Sequence, residues 1–215
     1  VVIGASAGGL DALAKMAFNF QKGLDVAYCI VLHLSHKGIG DYVVNRLAKV
    51  TSLTCSLAED GVPIKKDHIY IARPNNHLLV KDNKLLLGSG PEENRFRPSI
   101  DVLFRSAAVA YSTHAIGVIL SGMLNDGTSG MGSIQKCGGS CIVQDPNEAE
   151  YPDMPISVVE NLQVDHVASL KDIGSVIGLT IKKKKDKKKK KVPADIITES
   201  KLAETVGVSI GTIEA

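Results

Sequence analysis

The sequence predicts an α/β fold: a doubly wound, mostly parallel sheet with helices on both faces and a β-hairpin insertion. Three observations carry this. Short apolar runs alternate with amphipathic helix-like stretches along most of the 215 residues. The apolar runs lack the polar alternation of a half-solvated sheet, as expected of strands covered on both faces. Several of them end in glycine-bounded turns, the usual passage from a strand to its crossover helix.

Each element follows from its own stretch. Val1–Ala5 reads as a buried strand and Leu10–Phe20 as an amphipathic helix. Val26–Leu34 (VAYCIVLHL) reads as a second buried strand, Tyr42–Lys49 as a helix and Leu53–Leu57 as a short strand. His68–Ala72 is a strand between the turns at Gly61-Val62-Pro63 and Asn75-Asn76. His77–Lys81 and Lys84–Leu87 flank Asp82-Asn83, which predicts a hairpin. After the polar loop GSGPEENRFRP, Pro98 and Ser99 start a helix through Asp101–Tyr111. Alternation then resumes with a strand at Ala115–Ser121, a glycine-bounded turn at Gly122–Gly127 and a helix to about Lys136. A strand at Ser140–Gln144, a polar loop, and helices at Pro155–Leu162 and Leu170–Ile181 complete the reading.

Charge is divided unevenly. Residues 182–215 hold ten lysines against five acids, while residues 1–181 hold fifteen basic against eighteen acidic residues. The body is mildly acidic, which argues against a nucleic-acid partner. The run KKKKDKKKKK (Lys182–Lys191) repels itself and is expected to be a solvated linker, with an amphipathic segment after it. No apolar stretch is long enough for a bilayer span and no signal peptide is visible, so no membrane embedding is expected. Cys29, Cys55, Cys137 and Cys141 form no Cys-x-x-Cys pair and suit a reduced, cytoplasmic setting. No metal-ligand spacing or cofactor motif appears.

The chemistry-bearing stretch is the first one, VVIGASAGGLD. Its glycines miss the Gly-x-Gly-x-x-Gly spacing of a dinucleotide turn, and the Lys of a phosphate loop is absent. Gly4-Ala5-Ser6-Ala7-Gly8 does match Gly-x-Ser-x-Gly, a tight turn that pushes a serine out at a strand's carboxyl end. The backbone N–H of Ala7 would then face an oxyanion. The competing role for Ser6 is simple helix capping. A nucleophile needs a base and an orienting acid. His33 ends the second strand, and in a parallel sheet it shares a crevice with Ser6. His36 is the fallback. His68, His77 and His114 occupy settings typical of structural histidines, and His166 lies near the end of the domain. Asp126, in SGMLNDGTSGM after another strand, is the candidate acid, and its competing role is to cap the helix that follows. The chain order Ser, His, Asp, with the elbow on the first strand, differs from an α/β-hydrolase.

The combination IGASAGG, VLHLS, ARPNNH, FRPSIDVLFRSAA, SGMLNDGTSGM and QDPNEAEYPDMP resembles the catalytic domain of CheB-type chemotaxis methylesterases over about residues 1–178. The resemblance implies a Rossmann-like three-layer sandwich. It also implies hydrolysis of glutamyl methyl esters on the cytoplasmic helical bundle of chemoreceptors, with glutamine deamidation in some members. By position Ser6 matches the nucleophile, His33 the base, Asp126 the orienting acid and Met123 a residue of the oxyanion region. Ala7 stands where many members carry Thr. Arg97, Pro98 and Ser99 are expected to border the cleft and meet an acidic helical partner. A receiver or methyltransferase domain outside this sequence is a further expected partner. The expected division is a catalytic domain over 1–181 and a lysine-rich linker with a C-terminal tail over 182–215. The alternative function is a non-catalytic module that binds a ligand or partner through the glycine-rich crevice.

Overall fold

The computed structural model describes residues 1–33 and 39–204. His36 lies outside the described residues. Nine strands and seven α-helices are formed among them. In chain order they are β1 (Val2–Ala5), α1 (Gly9–Ala17), β2 (Tyr28–Leu32), α2 (Ile39–Ala48), β3 (Thr54–Leu57), β4 (His68–Ile71), β5 (His77–Lys81) and β6 (Lys84–Gly88). There follow α3 (Ile100–Tyr111), β7 (Ile116–Ile119), α4 (Thr128–Lys136), β8 (Ser140–Gln144), α5 (Asp153–Asn161), β9 (His166–Ala168), α6 (Leu170–Lys184) and α7 (Ala194–Glu204).

Seven strands form one sheet in the order β3-β4-β2-β1-β7-β8-β9, and every pairing in it is parallel. β5 and β6 form the separate antiparallel hairpin. Winding runs outward from β1 to β2 and beyond, then returns to β7 on the other side of β1. The reversal opens a crevice at the carboxyl ends of β1 and β7, where open α/β sheets bind ligands.

Alternate side chains of the strands enter two cores. On one face Ile3, Ala5, Ile30 and Ile71 pack with Leu13 and Met16 of α1, Leu47 of α2 and Ile173 of α6. On the other face Val2, Val31 and Tyr70 pack with Leu103 and Phe104 of α3, Met131 of α4, Met154 of α5 and the hairpin's Leu78 and Val80. Removing each such large apolar side chain from water contributes about 1.5–3 kcal/mol, so two covered faces account for the apolar strand runs.

Two elements depart from the sequence reading. β9 has no counterpart in that reading: it is a three-residue edge strand whose side chains are largely exposed, so it carries no apolar signal. The lysine run is not simply a solvated linker. α6 continues past Ile181 to Lys184, whose buried ammonium donates to the carbonyls of Thr113 (2.7 Å) and Gly138 (3.0 Å). The backbone beyond it is also used: Thr113 Oγ1 donates to Lys188 O and Ser112 Oγ to Lys190 O. Lys189 Nζ donates to Ala110 O near the carboxyl end of α3, where cations are favoured. α7 then buries Ile196 and Ala203 against α3 and the hairpin. Bare backbone at Gly90 permits this approach, since a Cβ there would lie 2.9 Å from Ala203 Cα.

Candidate active site

Ser6 directly follows β1, His33 directly follows β2, and Asp126 lies on the turn between β7 and α4. With β1 between β2 and β7, all three stand at one edge of the sheet. The turns are tied together. Ser6 N–H donates to Ser121 O (3.0 Å), and Ser121 Oγ donates to Ala7 O (2.8 Å). Gly9 N–H closes the Ser6 turn on Ser6 O (2.8 Å).

The glycines of the elbow make room for neighbouring elements. A Cβ on Gly4 would meet the Ile100 side chain, and one on Gly8 would lie 2.9 Å from both Ser121 Oγ and Glu150 Oε2. Gly8 also has φ +68°, a conformation that L side chains rarely adopt. Gly122 matters in the same way, because a Cβ there would come within 2.8 Å of Ser6 Cβ.

His33 Nε2 and Asp126 Oδ2 are 2.9 Å apart. The imidazole stacks on Phe96, with centroids 3.6 Å apart and planes 10° from parallel. Nδ1 is buried without a hydrogen-bond partner among the described residues. Asp126 is only 1% exposed and does not cap its own helix. Gly127 occupies that position, with no side-chain cap. The carboxylate instead receives donors from the start of α3. Oδ2 accepts Ile100 N–H (2.7 Å), and Oδ1 accepts Ser99 Oγ (2.9 Å) and Asp101 N–H (3.2 Å). Asn94 Nδ2 adds a further bond to Oδ1 at 2.8 Å. Burial pushes this carboxyl upward, but the bonds from His33, Ile100 and Asn94 outweigh it and hold the group below its ordinary value. The amino end of α3 favours the same ionised form.

Around this centre lie groups that the sequence reading did not single out. Asn94 and Phe96 share the loop before α3, and nothing local in the sequence links them to Asp126. The motif FRPSID did carry a signal, since a helix start offers free amides to an anion. His77, read as structural, is fully buried between Ser99 N–H (3.2 Å to Nδ1) and Pro91 O (2.9 Å from Nε2). Burial lowers its basicity. His166 is exposed at the start of β9. Asp165 bonds Cys141 N–H there (2.8 Å), at the opposite edge of the sheet from Asp126. Met123 and Leu124 are about half exposed beside the site. Neither the Met123 nor the Ala7 N–H donates to another described residue.

The chain is similar to known proteins of one family. Residues 1–177 match the family model described as CheB methylesterase. A relative from Leptospira interrogans, provisionally named protein-glutamate methylesterase/protein-glutamine glutaminase, is 38% identical over 177 residues, 82% of this chain and 91% of its own length. A protein-glutamate methylesterase/protein-glutamine glutaminase from Thiobacillus denitrificans is 34% identical over 80% of this chain, which spans about half (49%) of that protein. The crystal structure of the Thermotoga maritima CheB methylesterase catalytic domain superposes with a TM-score of 0.78 at 31% identity, covering 82% of this chain and 95% of that one.

Proposed function

Because the chain belongs to the CheB methylesterase family, we propose that it hydrolyses glutamyl methyl esters of chemoreceptors with Ser6, His33 and Asp126 as a catalytic triad. The observation that carries the reading is the His33–Asp126 contact, made by a buried carboxylate that its donors keep ionised. An ionised Asp126 accepts Nε2–H and thereby fixes the tautomer of the ring. The lone pair of Nδ1, which has no other partner among the described residues, is then the base for Ser6 Oγ.

Ser6 Oγ loses its proton to His33 and attacks the ester carbonyl carbon. Negative charge collects on the carbonyl oxygen, where the N–H groups of Ala7 and Met123 donate. The departure of Thr at position 7 to Ala leaves that N–H in place. As the tetrahedral intermediate collapses, the C–OMe bond breaks and His33 returns its proton to the leaving methoxide, giving methanol and an acyl-Ser6 ester. Water then attacks the acyl-enzyme with His33 again as base, releasing the glutamate carboxylate and restoring Ser6. A primary amide at the same position would lose ammonia by the same steps, which fits the glutaminase in the relatives' names. No step calls on a metal or cofactor.

The partner in this reading is the helical bundle of a methylated chemoreceptor in the cytoplasm. No described helix is long and apolar enough to cross a membrane. The test is methanol release from methylated receptor fragments. The chain should release it and Ser6→Ala should not. No release from the native chain would instead favour a binding module on the same fold.

A further inference from the structure

A second carboxylate lies beside the first. Asp101, on the first turn of α3, is 3% exposed. Its Oδ1 accepts Gly130 N–H (2.6 Å) and its Oδ2 accepts Asn94 Nδ2 (2.6 Å). The same Asn94 nitrogen donates to Asp126 Oδ1 at 2.8 Å. A side-chain amide has two N–H bonds and no charge, so one nitrogen can satisfy two acids at once. Asn94 itself is exposed and has φ 55°, a left-handed backbone that asparagine tolerates. Its loop is anchored on both sides. Arg105 binds Glu93 through both carboxylate oxygens (2.7 and 2.5 Å), and Phe96 lies against the His33 ring.

We propose that Asn94 is a positioning residue of the esterase: its amide holds the two carboxylates of Asp101 and Asp126 together, so that Asp126 stays ionised and aimed at His33. This rests on the triad reading above. Two neighbouring buried acids without a shared donor repel, and one of them takes up a proton. In the structure the burden falls on Asp101. Burial and the Asp126 charge push Asp101 up to about 6, while Asp126 is held below its ordinary value. Besides each other, the charged or titratable groups facing the pair are His33 after β2, His77 on β5 and Glu93 on the loop, which in turn binds Arg105 of α3. Arg105 is engaged by Glu93 and, from α7, by Glu199 at 3.5 Å. Asn94 is thus the neutral donor common to both acids.

The test compares Asn94→Gly with Asn94→Asp in the full chain. Glycine keeps the left-handed backbone and removes the donor. Aspartate keeps the shape and replaces the donor by a third acceptor. The expected order of kcat is native, then Gly, then Asp, with Gly lower by roughly 10- to 100-fold and KM nearly unchanged. A role in loop shape alone leaves both variants close to native, since glycine and aspartate both tolerate the left-handed backbone at this position, and overturns the proposal. A measurement on the native chain covers the case in which the variants misfold. The Asn94 side-chain N–H signals should be protected from exchange and should follow the Asp101 titration; a fast-exchanging, pH-insensitive amide contradicts the assignment. Ser6→Ala separates the two levels. If that variant still turns over, the triad reading fails. If it is inactive while Asn94→Asp behaves as native, only the Asn94 assignment fails.

Discussion

Two buried charges sit at opposite ends of the same sheet and meet opposite fates. At the carboxyl edge, Asp126 has five donors, among them two backbone N–H groups at the start of α3. At the amino edge, Lys184 has two carbonyl acceptors for three N–H bonds. Burial opposes both charges. It loses at Asp126, which is held below the usual carboxylate range, and wins at Lys184, whose ammonium is lowered to about 8. The difference is the number and kind of partners, not depth. One edge is built to keep a charge; the other uses a charge to tie down a chain segment at some cost.

The largest effects should fall on activity at the carboxyl edge. His33→Gln and Asp126→Asn should each lower kcat by about 10³–10⁴-fold, since the members of a triad act as a unit. Asp126→Asn should also lose about 1–3 kcal/mol of stability in denaturant melts, because its amide turns N–H bonds toward N–H donors. Asp165→Asn, at the other edge, is the control and should keep near-native turnover. Near-native turnover in Asp126→Asn would remove the special status of that edge.

At the amino edge the effect should be on stability alone. Truncation after Ile181 removes Lys184 and the buried Ile196 and Ala203, and should cost about 3–5 kcal/mol in urea unfolding. Turnover on a small ester should persist wherever the shortened chain stays folded. A fall in turnover there would mean that the Glu199–Arg105–Glu93 chain of contacts carries the tail's influence to the site.

The smaller effects are pH dependences of opposite sign. Lys184 binds its proton less tightly folded than unfolded, so its contribution to stability rises with pH between about 8 and its ordinary value of 10.5. The difference in urea midpoint between native and Lys184→Met should therefore grow in favour of native over that range. Asp101 behaves the other way. Its folded value of about 6 lies above 3.8, so the folded state holds the extra proton and stability contributed by Asp101 falls as pH rises from about 4 to 6. An Asp101→Leu variant should lack that decline. Equal slopes in variant and native would show that Asp101 titrates as an ordinary surface acid.

The same contrast explains what was legible in the sequence. Strand ends were legible because buried parallel strands are continuous apolar runs, and from these ends Ser6, His33 and Asp126 fall at one edge of the sheet. What Asp126 does there was not legible. A capping aspartate is expected to serve the helix next in sequence, yet its donors come largely from the start of α3, some 25 residues earlier, brought there as the chain crosses back through α3 to set β7 beside β1. Asn94 is invisible for the same reason. β9 lacks apolar side chains to betray it. The lysine run misleads because composition reports the ammonium groups, while its backbone and one buried ammonium do the packing.

The central claim is that Ser6 is a nucleophile activated through His33 by a charge-keeping edge. The most direct measurement is covalent labelling with a serine-directed phosphonate, read by peptide mass spectrometry. The native chain should gain one adduct on Ser6, at a rate that falls steeply in His33→Gln and Asp126→Asn and is unaffected by Asp165→Asn. An adduct that forms equally in Ser6→Ala, or a Ser6 rate indifferent to His33 and Asp126, would contradict it.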